Sequence, residues 1–92
     1  MTTSFDKFPS PKFRISSFLS LLSRIAFVRE GIYACDIANE LKIDPSNLSR
    51  IFTGVTSPSI RTFVRLVDFF DKTLGRDIVI ENFAKYVLYK NS

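Results

Sequence analysis

One compact run of hydrogen-bonding side chains stands out in the chain, Pro45-Ser46-Asn47-Leu48-Ser49-Arg50. Short polar groups and one long cation at this spacing can both donate to and accept from a polar surface. An arginine fork can also grip two acceptors at once. Little else in the sequence can do chemistry. There is no histidine and one cysteine, Cys35, so a His/Cys zinc site, a Ser-His-Asp triad or a Cys-His pair cannot be assembled within one chain. Gly31, Gly54 and Gly75 form no GxxxxGK(S/T) or GxGxxG cradle for phosphates. Acidic pairs such as Asp68 and Asp71 have the spacing of an exposed helix face. No catalytic residue, metal or cofactor is therefore expected, and the chain reads as a binding protein, not an enzyme.

The 92 residues suffice for one domain with a small core, to which ten phenylalanines contribute heavily. With 46% hydrophobic and 24% charged residues, the composition is that of a globular chain. A lone cysteine allows no internal disulfide, which fits a reducing compartment. The apolar runs fall short of the ~20 residues needed to span a bilayer, and Pro9 and Pro11 break any signal-peptide layout. A cytoplasmic protein without membrane contact is expected. Net charge is +4, and the surplus sits early: residues 1–30 carry +3 (five Lys/Arg, two acids), 31–62 are neutral and 63–92 carry +1.

The elements that must position the polar run follow from periodicity and punctuation. Met1 to Pro11 reads as an arm without periodicity. Ser10-Pro11 is a helix start, and Ile15, Phe18, Leu19, Leu22, Ile25 and Ala26 make one apolar face of a helix over about 12–30, stopped by Gly31. Ile37, Ala38 and Leu41 predict a helix over about 34–41. Asp44-Pro45 then caps a third over 45–53, with Leu48, Ile51 and Phe52 as its apolar positions, Leu48 and Ile51 facing inward, and Gly54 as its stop. Ser57-Pro58-Ser59 opens a fourth, with Ile60, Phe63, Val64, Leu66, Val67 and Phe70 as its expected buried side. The segment 77–92 keeps helical spacing over about 77–89, although Asp77-Ile-Val-Ile could begin a strand used for dimerisation.

Two short helices joined by a three-residue turn cannot lie antiparallel. They cross steeply, which is the helix-turn-helix arrangement that presents its second helix to the DNA major groove. Ala38 is the small residue such a close crossing needs. At this point Ile37, Ala38, Leu41, Ile43, Leu48, Ser49, Gly54, Pro58 and Ser59 resemble, in register, the Cro/C1-type (XRE-like) helix-turn-helix domains of phage repressors and bacterial regulators. The resemblance covers about residues 13–75. It implies an all-α, five-helix, lambda-repressor-like domain over 12–76. Three departures are visible. Lys42 stands where the family has a turn glycine, often at positive φ. Phe52 replaces a common glutamate. Tyr33 and Ala34 replace the Ser/Thr-Gln pair that caps the second helix and touches a phosphate, leaving the backbone N–H groups there for that contact.

This reading makes the partner double-stranded DNA. Pro45, Ser46, Asn47, Ser49 and Arg50 are the base-reading candidates; an arginine gripping guanine O6 and N7 is worth about 1–3 kcal/mol of discrimination. The plainer reading is a helix first turn and a solvated arginine. Phosphate contacts are expected from Tyr33, Ala34, Thr53, Thr56, Ser57 and Arg61, and from Lys12 and Arg14 beside the arm. Their alternative is a polar turn and a solvated tail. Ile78, Ile80, Phe83, Val87 and Leu88 supply more apolar surface than a small monomer needs, so a homodimer on a palindromic operator is expected, unless the segment packs on its own domain. A protein-binding module on the same scaffold (antitoxin, anti-CRISPR-like inhibitor or adaptor) is the alternative function.

Overall fold

The computed structural model describes residues 11–86, with side chains over 14–85. The described chain is all-α. Its helices are α1 (Pro11–Glu30), α2 (Ala34–Leu41), α3 (Pro45–Thr53), α4 (Ile60–Leu74) and α5 (Arg76–Tyr86). The expected segmentation holds in each case to within a few residues, and the ambiguous C-terminal segment is a helix over its described part. The arm over 1–10 lies outside the described residues.

The core is built on α1. Phe18, Leu19, Leu22 and Ala26 are fully buried on one face, where they meet Ile37 and Ala38 of α2, Leu48 and Ile51 of α3, Leu66, Phe70 and Leu74 of α4, and Val79 of α5. Phe18 is the hinge of this cluster. Its ring meets Phe83 edge-on at 5.4 Å between centroids and tilts against Phe63 at 6.3 Å. Both spacings lie within the range of favourable aromatic pairs. At the corner between α4 and α5, Arg76 pairs with Asp71 at 3.3 Å, and that hydrogen bond and charge raise the Arg76 pKa.

One expectation about α4 is overturned. Ile60 and Val64 do not belong to its buried side and are 83% and 56% exposed. Leu66, Phe70 and Leu74 set the centre of the buried stripe. At about 100° per residue, Ile60 lies roughly a quarter-turn and Val64 roughly a third of a turn from that line, at and beyond its edge.

Local chemistry explains each break in the chain. Gly31 has φ 69°, donates to the Phe27 carbonyl at 3.0 Å and ends α1. Ser59 caps α4, its hydroxyl accepting from the Thr62 N–H at 3.2 Å. The turn after α2 is the costly one. Lys42 adopts φ 57° and ψ 46°, left-handed backbone that a side chain disfavours. Lys42→Gly is therefore expected to stabilise the fold by about 0.5–1 kcal/mol. A thermal melt should rise by about 2–8 °C; an unchanged or lower midpoint would contradict strain at this position.

Candidate nucleic-acid interface

α3 is positioned from three directions. At its start the Asp44 carboxylate accepts from the Asn47 N–H at 3.1 Å, with Pro45 as the first helical residue. Along its inner face Leu48 and Ile51 are buried in the core, and across the turn Ala38 is buried with the Ile43 N–H donating to its carbonyl at 2.8 Å. At its end Gly54, at φ 84°, turns the chain so that the N–H groups of Val55 and Thr56 return to the Arg50 carbonyl at 2.9 and 3.2 Å. A tie from α1 completes the hold: the buried Ser16 hydroxyl donates to the Phe52 carbonyl at 2.7 Å.

What this leaves outside is the predicted polar run. Pro45, Ser46, Asn47, Ser49 and Arg50 are all exposed. Among the described residues the ion pairs are Lys72 with Asp68 and Arg76 with Asp71, neither of them on α3. The five side chains thus stand together outside the core on one helix capped at both ends.

The backbone-gripping candidates fare differently. Tyr33 and Ala34 are exposed at the start of α2, and the Tyr33 ring meets Phe27 edge-on at 5.0 Å. The Tyr33 N–H, however, is already bonded to the Asp36 carboxylate at 2.8 Å. The helix start expected to hold a phosphate thus carries its own anion. Asp36 is the residue missed in the sequence, although an acid at the third helical position is a recognised capping signal.

The loop after α3 is also partly spent. The Thr53 hydroxyl donates to the Ser49 carbonyl at 3.0 Å and the Thr56 N–H to Arg50. Ser57 and Arg61 stand exposed, Thr56 is half-buried, and Arg14 is half-buried in the first turns of α1. The Lys12 side chain lies outside the described residues.

Of the interface candidates, Ile78 and Phe83 pack against the chain's own core and are half-buried. Ile80 is 56% exposed. Val87 and Leu88 lie outside the described residues. The split follows the face of α5 that meets the core: Val79 is buried with Ile78, Asn82 and Phe83 half-buried around it, and Ile80 lies on the far side of that arc from Ile78 and Asn82.

Electrostatically, acids cap both helices of the unit, Asp36 on α2 and Asp44 on α3. Each occupies the positive end of a helix where an external phosphate would otherwise bind. Asp36→Ala should destabilise the protein by about 0.5–2 kcal/mol, the usual scale for a lost cap. Denaturant titration checks this; a loss below the resolution of the method would show that the cap contributes nothing.

Comparison with family models matches residues 36–76 to the helix-turn-helix family. Comparisons with curated proteins and with solved structures found no match. Among the described residues no helix is long and apolar enough to cross a membrane. The match spans most of α2, all of α3 and α4 and the Gly54 stop, the same parts that hold the polar run outward, so over residues 36–76 the all-α described chain is similar to the helix-turn-helix family.

Proposed function

We propose that the protein is a sequence-specific, double-stranded-DNA-binding transcriptional regulator, a repressor of phage, plasmid or mobile-element type, which reads the major groove with α3. The observation that carries this reading is the division of α3 into two faces. Leu48 and Ile51 are wholly buried, while Ser46, Asn47, Ser49 and Arg50 are exposed beside one another on a helix fixed at both ends. Arg50 is assigned the bidentate contact to guanine, Asn47 and Ser46 shorter base-edge or phosphate contacts, and Pro45 a thymine methyl. Ser57, Arg61, Thr53, Thr56, Arg14 and Lys12 are assigned to the phosphate backbone, and Ile80 with Val87 and Leu88 to a two-fold contact between copies.

The neutral charge of residues 31–62 and the acidic caps on α2 and α3 give this binding a shallow salt dependence, since few counterions are released. A dimer would place two copies of α3 about 34–36 Å apart on a palindromic site.

A second reading is favoured by one surface. On the outer side of α1, Leu21, Ile25 and the 74% exposed Val28 line a shallow groove of about 300 Å³ flanked by Arg24 and Arg29. Such a face suits a protein segment with an apolar stripe and acidic flanks. A stoichiometric protein partner without any DNA shift would put this reading first.

Selection of bound duplexes from a random pool, read by gel shift, tests the first reading. A defined, two-fold symmetric sequence should emerge. Arg50→Ala should weaken that site by about 1–3 kcal/mol while leaving non-specific binding largely unchanged. Equal loss on all sequences would contradict a base-reading role.

A further inference from the structure

The far end of α2 is the least self-sufficient joint of the helix-turn-helix unit. α2 has eight residues, carries no basic residue in its last turn and closes on the left-handed Lys42. Its last carbonyls have no helical successor to bond. The Ala38 carbonyl is taken by the Ile43 N–H and the Asn39 carbonyl by the Lys42 N–H, at 2.8 and 3.3 Å. The Leu41 carbonyl is met from another element altogether: Arg65 of α4, twenty-four residues on, donates to it from Nη2.

We infer that Arg65 is a positioning residue for recognition, fixing the end of α2 to α4 and with it the turn that presents the start of α3. The inference rests on the DNA-binding reading above. α3 is itself seated on α1 through Leu48, Ile51 and the Ser16–Phe52 bond, whereas α2 packs mainly on α3 and ends with Leu41 half-buried and Lys42 exposed, so the end of α2 and the turn are the part of the unit least held by the core. α4 offers a fixed anchor for it, because Leu66, Phe70 and Leu74 seat that helix in the core. A guanidinium at the negative end of a helix makes a charge-assisted bond that also satisfies an orphan carbonyl. The bond lies one residue before Lys42, so it fixes the turn from which α3 starts. Although exposed and cationic, Arg65 is thereby assigned to the protein and not to a phosphate.

The test uses the full chain, with Arg65→Ala and Arg65→Lys, and the duplex selected by the wild-type protein. Affinity is measured well below the melting temperature over a series of salt concentrations. Arg65→Ala should bind about five- to tenfold more weakly, with the slope of log affinity against log salt unchanged, and Arg65→Lys should recover most of the loss. Without DNA, amide exchange at Lys42 and Ile43 should quicken several-fold in Arg65→Ala, while core amides of α1 stay protected.

A slope shallower by about one unit would make Arg65 a phosphate ligand and overturn the inference. A lower melting temperature with unchanged affinity would overturn it too, leaving a purely structural residue. Unchanged exchange at Lys42 and Ile43 would remove the tether itself. Wild-type protein that retains no duplex removes the recognition role along with the DNA-binding reading, and the exchange measurement, made without DNA, then decides the tether alone.

Discussion

Between Leu41 and Pro45 the chain has three residues in which to change direction, and it does so by placing Lys42 in left-handed backbone. With so short a connection α2 and α3 cannot run side by side, and their inner faces must approach closely at Ala38. Everything outside the turn follows from that constraint. Leu48 and Ile51 are directed into the cluster around Phe18 and Leu22, and Ser46, Asn47, Ser49 and Arg50 are left on the opposite side. The same side chains on a helix free to roll would display no fixed pattern of donors and acceptors.

The hold on α3 is built mostly from backbone satisfaction. Asp44 at its start, Gly54 at its end and Ser16 from α1 each satisfy groups a helix terminus would leave unpaired. The hold has an electrostatic consequence. Two carboxylates sit at the helix ends that could otherwise attract phosphates, and the Tyr33 N–H is engaged by one of them. On the proposed DNA-binding reading, attraction to DNA falls to arginines outside the caps and to contacts at base edges, so discrimination rather than general affinity would dominate the binding energy.

Much of the architecture was legible because its signals are local. Asp44-Pro45, Gly31 and Gly54 mark helix ends by backbone chemistry alone, and Ile37, Ala38 and Leu41 show the inward face of α2 by spacing. The outward set on α3 followed from the position of Leu48 and Ile51. What was not legible depends on partners distant in sequence. Nothing near Ser16 foretells its bond to Phe52, nor near Arg65 its bond to Leu41. Ile60 and Val64 looked buried because periodicity gives the direction of an apolar stripe but not how far along its edge the core extends. Ile78 and Phe83 looked like surplus apolar surface because Phe18 and its neighbours, which use them, lie some sixty residues away. Asp36 is the exception, a local signal at the third position of α2 obscured by the unusual Tyr33 before it.

The central claim is that the outer face of α3 enters the groove of a DNA duplex. Nuclear magnetic resonance of the isotope-labelled chain, titrated with a duplex obtained by selection, tests it most directly. The account predicts the largest shifts at Ser46, Asn47, Ser49 and Arg50, with the groove-lining residues Leu21, Ile25 and Val28 of α1 nearly unmoved. Shifts centred on that α1 face, or an α3 that does not respond to a bound duplex, would contradict it.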